Sequence, residues 1–357
     1  MKKIRVLFIS NIEVPYRTRF FNLLGKECDL TVLYEQKKSR NRNEEWAKSE
    51  VGTYKKIYLH GIEVGHERSF SFSILKYVFS DYDKIIIGCF NNPVQMFAIV
   101  LMKLFHREYY INVDGKTFDT GCFLKRVLRR FFLNGAKGYF CAGEKASEQL
   151  TNFVKNDNPV YSYRFGNAEK RELDDITRPD IRDRNEEVLV IGQYEAYKGL
   201  DIAVKVAQNN PKTSFIFVGM GWKEESFRRY IKSLGLLNIE IIPFLQKEEL
   251  TKLYKKCGLL MLPSRQECWG LVINEAASFG MPIVSTWGSG AAEEFLSPKY
   301  DEYLANPEDI DDLANCFERL LKTSEQEKEE YSKYLYSKSK AYNIEENVNS
   351  FLKGLEA

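Results

Sequence analysis

Apolar residues fall along this chain in short blocks separated by polar turns. Ile4-Arg5-Val6-Leu7-Phe8-Ile9 reads as a buried strand that closes at the turn-prone Ser10-Asn11-Ile12-Glu13-Val14-Pro15, and a helix-like segment runs from Tyr16 to Leu24. Asp29 to Tyr34 predicts a second strand, 83–88 and Tyr109 to Val113 two more, with a helical stretch over Val94 to Phe105 between them. The alternation restarts at Val188-Leu189-Val190-Ile191-Gly192. Helix over Ile202 to Gln208, strand Ser214 to Val218, helix Glu224 to Leu234 and strand Glu240 to Ile242 follow. Gly258 to Leu262, the helix over Val272 to Phe279 and Pro282 to Ser285 complete it. Strands alternating with helices predict parallel βαβ units. The fold class is therefore α/β, with two doubly wound, Rossmann-like domains: residues 1–165 and 187–335, joined by a polar linker over 166–186. Ligands of such sheets bind outside the carboxyl ends of the strands, so the cleft between the domains is the expected site.

Composition narrows the function classes. At 357 residues two domains are expected, and 44% hydrophobic residues supply ample core. The 52 Lys+Arg against 50 Asp+Glu leave +2, which gives no general reason to bind nucleic acid. Seven scattered cysteines show neither a disulfide framework nor a zinc spacing, so a reducing compartment is expected. The run after Met1 is too short for a signal peptide and Met96 to Phe105 too short for a membrane span, so a cytoplasmic protein is expected.

Candidate chemistry concentrates in 263–276, PSRQECWGLVINEA, where Glu267 and Glu275 stand eight residues apart and Gly270 opens a helix. Unpaired amides of a first helical turn, at Gly270 and Leu271, favour an anionic group such as a diphosphate. A carboxylate at Glu275 suits a ribose diol and one at Glu267 suits sugar hydroxyls. Taken alone, each glutamate is more often a turn or solvated residue.

This segment resembles the E-x7-E signature of the retaining, family 4 nucleotide-sugar glycosyltransferases of the GT-B architecture. The resemblance extends to Gly192 with Lys198-Gly199, to Val218-Gly219-Met220-Gly221 and to Leu262-Pro263-Ser264, in the expected order. It implies a GT-B fold, in which a C-terminal helix of about 340–357 completes the first, acceptor-binding domain while the second binds the donor. It implies a nucleoside diphosphate sugar as donor, with UDP as the expected nucleotide. The implied acceptor is a glycan or lipid-linked glycan, as in polysaccharide biosynthesis. Lys198 takes the donor diphosphate as a point charge; Gly192, Gln193, Gly219, Phe244, Gly270, Leu271 and Glu275 line the donor; Lys198, Glu267 and Asp114 are the catalytic set. Gln193 stands where a second phosphate cation is usual, and Asp114 follows a strand after which many members carry a histidine. Phe244 reads equally well as core, and Asp114 as a loop-capping residue. No cofactor and no metal are expected: Asp81-Tyr82-Asp83 reads as a strand-entry turn. A nucleotide-sugar epimerase and a weakened nucleotide-sugar or glycan-binding partner, the latter suggested by Gln193, are the alternative functions.

One stretch stands outside this scheme. In 123–133, FLKRVLRRFFL, helical spacing puts Lys125, Arg126, Arg129 and Arg130 on one side and Leu124, Val127, Leu128 and Phe131 largely on the other. It suits the anionic inner face of a cell membrane, or equally a surface helix packing its apolar side on the sheet.

Overall fold

A computed structural model describes residues 3–36, 52–64, 68–115, 122–154 and 156–356 of the chain. It forms two compact units, one of residues 1–169 with 343–357 and one of residues 170–342.

The first unit is built on β1 (Arg5–Ile12), β2 (Asp29–Gln36), β3 (Lys55–Tyr58), β6 (Lys84–Ile87), β7 (Tyr110–Val113), β8 (Gly138–Ala142) and β9 (Val160–Tyr163), in the order β3-β2-β1-β6-β7-β8-β9 and parallel throughout. A small antiparallel pair, β4 (Ile62–Glu63) and β5 (Ser69–Phe70), lies outside this sheet. Central strands covered on both faces read as unbroken apolar runs, and Val6 through Ile9 are wholly buried. Proline opens the helices Pro15–Glu27 and Pro93–Leu104, where a missing amide proton and a fixed φ are both tolerated. The last helix, Ile344–Glu356, joins this unit: Phe351 stacks on Phe140 with ring centres 4.3 Å apart and meets Phe20 at 4.8 Å.

The second unit repeats the scheme with β10 (Val188–Ile191), β11 (Phe215–Val218), β12 (Ile239–Ile242), β13 (Leu259–Leu262), β14 (Ile283–Thr286) and β15 (Leu304–Ala305). Their order is β12-β11-β10-β13-β14-β15, again parallel. Among the described residues no helix is long and apolar enough to cross a membrane.

Two expectations are corrected. From Lys170 onward the stretch expected as a linker belongs to the second unit. Arg178 grips Glu329 through both guanidinium nitrogens at 2.5 and 2.9 Å, and buried Arg184 donates to the carbonyls of Tyr254, Cys257 and Phe279. Charges that look solvated in sequence are used to cap helix ends and bind a distant helix. Secondly, the helix Phe123–Leu133 does not pack its apolar side on the sheet. Phe132 and Leu133 are buried, whereas Phe123, Leu124, Val127, Leu128 and Phe131 are exposed. Arg130 is turned inward, donating to the Phe153 carbonyl at 2.9 Å and lying over that ring. The expected strand-entry turn is present at Asp81 and Asp83, both of which hold Arg5.

At the end of β2 a carboxylate is buried. Glu35 is 1% exposed; its Oε1 accepts from Gln95 at 2.6 Å and Asn92 at 3.1 Å, while Oε2 has no hydrogen-bond partner among the described residues. Burial pushes its carboxyl up to about 7 from an ordinary 4.5, against the pull of Gln95 and Asn92. Between those values the folded chain holds a proton that the unfolded chain releases, so Glu35 lowers stability as pH rises from about 4.5 to about 7. Replacing it by glutamine is expected to raise stability at pH 8 relative to pH 5 by roughly 2–3 kcal/mol. Thermal or urea unfolding at the two pH values checks this, and a gain that is the same at both would contradict the buried charge.

Candidate active site

The sequence places a turn at the carboxyl end of each strand of the second unit, and these turns carry the predicted donor residues. After β10, Gly192 donates its amide to Val218, and a short helical turn, Ala196–Lys198, brings Lys198 round to Gly199. After β13 the chain runs through Pro263, Ser264 and Glu267 to Gly270, which opens the helix Leu271–Ser278 at φ +102°, a conformation glycine adopts without strain.

The two turns are fastened to one another. At Gly199, φ is +67°, and a Cβ there would lie 2.0 Å from the Pro263 carbonyl oxygen. The amides of Arg265 and Gln266 both donate to the Tyr197 carbonyl, at 2.8 and 3.1 Å. The Arg265 guanidinium donates to the Ala196 carbonyl at 2.8 Å and grips both oxygens of Asp201 at 2.7 Å. That contact holds the Asp201 carboxyl below its ordinary range. Lys198 and Glu267 thereby meet in an ion pair, the side chains 19% and 17% exposed, and Ser264 Oγ donates to the same Glu267 oxygen at 3.3 Å. A pair so placed is only partly solvated, so each charge depends on the other.

The remaining predicted residues lie around this pair to different degrees. Gly192 faces the Lys198 stem, Gly270 faces the Glu267 stem, and Leu271 is half-buried behind it. Gln193 packs against Gly221 of the next turn, where, among the described residues, no atom lies within 4 Å of a Cβ placed on Gly219. Phe244, after β12, is largely exposed rather than core. Glu275 sits further along its helix and accepts from Tyr254 Oη at 2.7 Å; burial, with Glu275 beside it, pushes that phenol far up, so it remains a donor.

Asp114 belongs to the first unit, at the carboxyl end of β7. Its Oδ1 accepts from Asn112 at 2.6 Å, from Tyr163 at 2.8 Å and from buried Arg17. Burial, then Asp114, pushes the Tyr163 phenol up. Lys116, two positions further on, lies outside the described residues.

Sequence reasoning missed four residues that hold this chemistry in place. Arg265 and Asp201 brace the Lys198 turn, Arg17 anchors Asp114, and Lys223 joins the edge through a 2.7 Å ion pair with Glu195. A signal existed only for Arg265, through its place beside Glu267. Among the described residues no three His, Cys, Asp or Glu side chains gather in a way that would hold a metal ion.

Known proteins resemble this chain. Residues 173–338 match the family model described as glycosyl transferases group 1. An uncharacterized glycosyltransferase of Haemophilus influenzae is 27% identical over 146 residues, 40% of this chain and 41% of that one. The alpha-galactosylglucosyldiacylglycerol synthase of Streptococcus pneumoniae is 25% identical over 219 residues, 54% of this chain and 59% of that one. The chain thus spans less than two thirds of the length of either relative. Across 99% of both chains the fold matches Anabaena HepE, solved in complex with UDP and glucose, at 15% identity and a TM-score of 0.71. The fold is GT-B.

Alanine at Gly199 is expected to lower the stability of the second unit by about 2–4 kcal/mol, from left-handed strain plus overlap with Pro263. Urea unfolding measures it; a variant as stable as the parent would mean that the two turns are not in close approach.

Proposed function

We propose that the chain is a retaining glycosyltransferase of the E-x7-E type, moving a sugar from a UDP-sugar to a glycan or lipid-linked glycan on the inner face of the cell membrane. The observation that carries this reading is the Lys198–Glu267 pair, fixed by two interlocked turns at the mouth of the helix Leu271–Ser278. An ammonium and first-turn amides at Gly270 and Leu271 make an electropositive seat for a diphosphate. Both are positioned before the donor arrives, so charge developing on the departing diphosphate meets donors that need not reorganise.

In this reading Glu267 is the sugar-orienting group. Its contacts with Lys198 and Ser264 fix one oxygen and leave a carboxylate edge for the sugar hydroxyls, and Glu275 receives the ribose diol. Gly219 leaves its turn open for the nucleotide, and Phe244 offers a face to the base. The first unit supplies the acceptor side through Asp114. With no second carboxylate assigned as nucleophile, the leaving diphosphate oxygen takes the proton of the incoming hydroxyl on the same face. The scheme assigns no resident metal: Lys198 and the helix amides meet the donor charge. HepE, of the same fold, holds UDP, and the S. pneumoniae relative is named for a glycolipid product; both support this choice of donor and acceptor.

The test is donor binding by thermal shift across nucleoside diphosphate sugars, followed by transfer assays with product anomer analysis. Glu275→Ala is expected to weaken donor binding by about 10- to 100-fold, through loss of charge-assisted hydrogen bonds. Glu267→Ala is expected mainly to lower kcat, and Lys198→Ala to lower it by about 100- to 1,000-fold, as when an anion-stabilising donor is removed. Unchanged kinetics in all three variants would remove the site. Isomerised donor without acceptor would indicate the epimerase reading, and tight donor binding with no transfer would indicate a binding partner.

A further inference from the structure

Two helices of the second unit are tied together at their carboxyl ends by one side chain. Buried Arg184 donates through Nη1 to the carbonyls of Tyr254 and Cys257, at 2.7 and 3.0 Å, and through Nη2 to that of Phe279 at 2.6 Å. The first two carbonyls belong to the end of the helix Lys247–Lys256, and the third caps Leu271–Ser278. Burial pulls the guanidinium down to about 10, which leaves it a cation at neutral pH, where the negative ends of two helix dipoles favour it. A planar fork with donors on two edges fixes the spacing of the helices as a lone ammonium would not.

With that spacing set, a second contact joins the same two helices. Glu275 stands one turn before Phe279, and the Tyr254 ring lies nearly parallel to the Phe279 ring, centres 5.8 Å apart and planes 12° apart. Tyr254 is 2% exposed, and its phenol, which burial and then Glu275 keep protonated, donates to Glu275 Oε2 at 2.7 Å. Glu275 itself is half-buried, so its carboxylate stands where the aromatic layer ends. A glutamate on a solvated helix face samples many rotamers, and a ligand that needs one of them must bear the cost of ordering it. Here folding has already fixed one carboxylate oxygen.

We propose that Tyr254 is a positioning residue for nucleotide recognition: it sets the Glu275 carboxylate so that both hydroxyls of a ribose diol meet it at once. The inference rests on the reading of Glu275 as the ribose acceptor, and adds to it the source of selectivity for ribose. A nucleotide without the diol leaves a carboxylate already fixed in place and unpaired, which penalises that ligand more than a mobile side chain would. Lys198 and the helix amides hold the diphosphate whatever the ribose carries. The two kinds of contact therefore separate when nucleotides differing only in the diol are compared, and Tyr254 acts on one of them alone.

The experiment is calorimetric binding of the full chain to UDP, GDP and ADP, each compared with its 2′,3′-dideoxy analogue. For the nucleotide taken most tightly, the parent is expected to favour the ribose form by about 10- to 100-fold. Tyr254→Phe keeps the ring on Phe279 and is expected to cut that preference about 3- to 10-fold, while affinity for the dideoxy form stays within about twofold. Glu275→Ala is expected to abolish the preference, and Tyr254→Phe added to it to change nothing further, as for residues acting through one contact. A variant that is partly unfolded binds both nucleotides more weakly by the same factor, so the ratio still reports on Tyr254. An undiminished preference in Tyr254→Phe, beside its loss in Glu275→Ala, overturns the inference and leaves the ribose reading standing. Equal weakening of both nucleotides by Tyr254→Phe also overturns it, as the mark of a packing role. A parent that binds none of the nucleotides, or binds both forms alike, overturns the ribose reading and the inference together.

Discussion

The approach of Gly199 to the Pro263 carbonyl is the contact on which the candidate site depends. Only a residue without a Cβ allows the turn after β10 to lie this close to the turn after β13. Once the backbones are seated, the Arg265 and Gln266 amides find the Tyr197 carbonyl, and the Arg265 guanidinium reaches Ala196 and Asp201. The Lys198–Glu267 ion pair is then a result of backbone geometry, and the two long side chains need not find one another unaided. That matters energetically, because a partly buried pair of opposite charges stabilises only where its partners are already oriented.

Asp114 is held in a comparable manner by different means. Buried Arg17 lies against the rings of Phe8 and Phe165 and presents one nitrogen to the carboxylate, while Tyr163 and Asn112 supply neutral donors to the same oxygen. In both units a carboxylate at the carboxyl end of a strand is orientated by a cation and a hydroxyl. The two arrangements differ in exposure of the cation: Lys198 is partly open to solvent, and Arg17 is enclosed.

What could be read from sequence was what is local. Buried parallel strands announce themselves as apolar runs, and β1, β2, β6, β7 and β10 through β14 all lie where the runs place them. β3, β8, β9 and β15 were missed: β3, β9 and β15 lie at sheet edges, where half-exposed positions bring Lys55, Lys56 and Ser162 into the pattern or the strand is only two residues long, whereas β8 is an interior, wholly buried run, Gly138–Ala142, that was passed over. The E-x7-E spacing was legible for the same local reason. Its support was not: Arg265 and Asp201 are 64 residues apart, and elsewhere in the same unit Arg178 and Glu329, 151 apart, were equally hidden. The helix Phe123–Leu133 shows the limit most clearly. Its amphipathic period was evident, yet which side faces the protein was set by Lys103 and Phe153, which capture Phe131 and Arg130 from neighbouring helices.

The first unit is interrupted in sequence, since residues 343–357 return to it after the whole of the second. On a ribosome, Phe20 and Phe140 would be synthesised long before Phe351, whose ring covers them. The second unit, continuous from 170 to 342, has all of its own strands before that helix emerges. The order of synthesis therefore differs from the order of domains: the half that begins first receives its aromatic cover, Phe351, only after the whole of the second has been made.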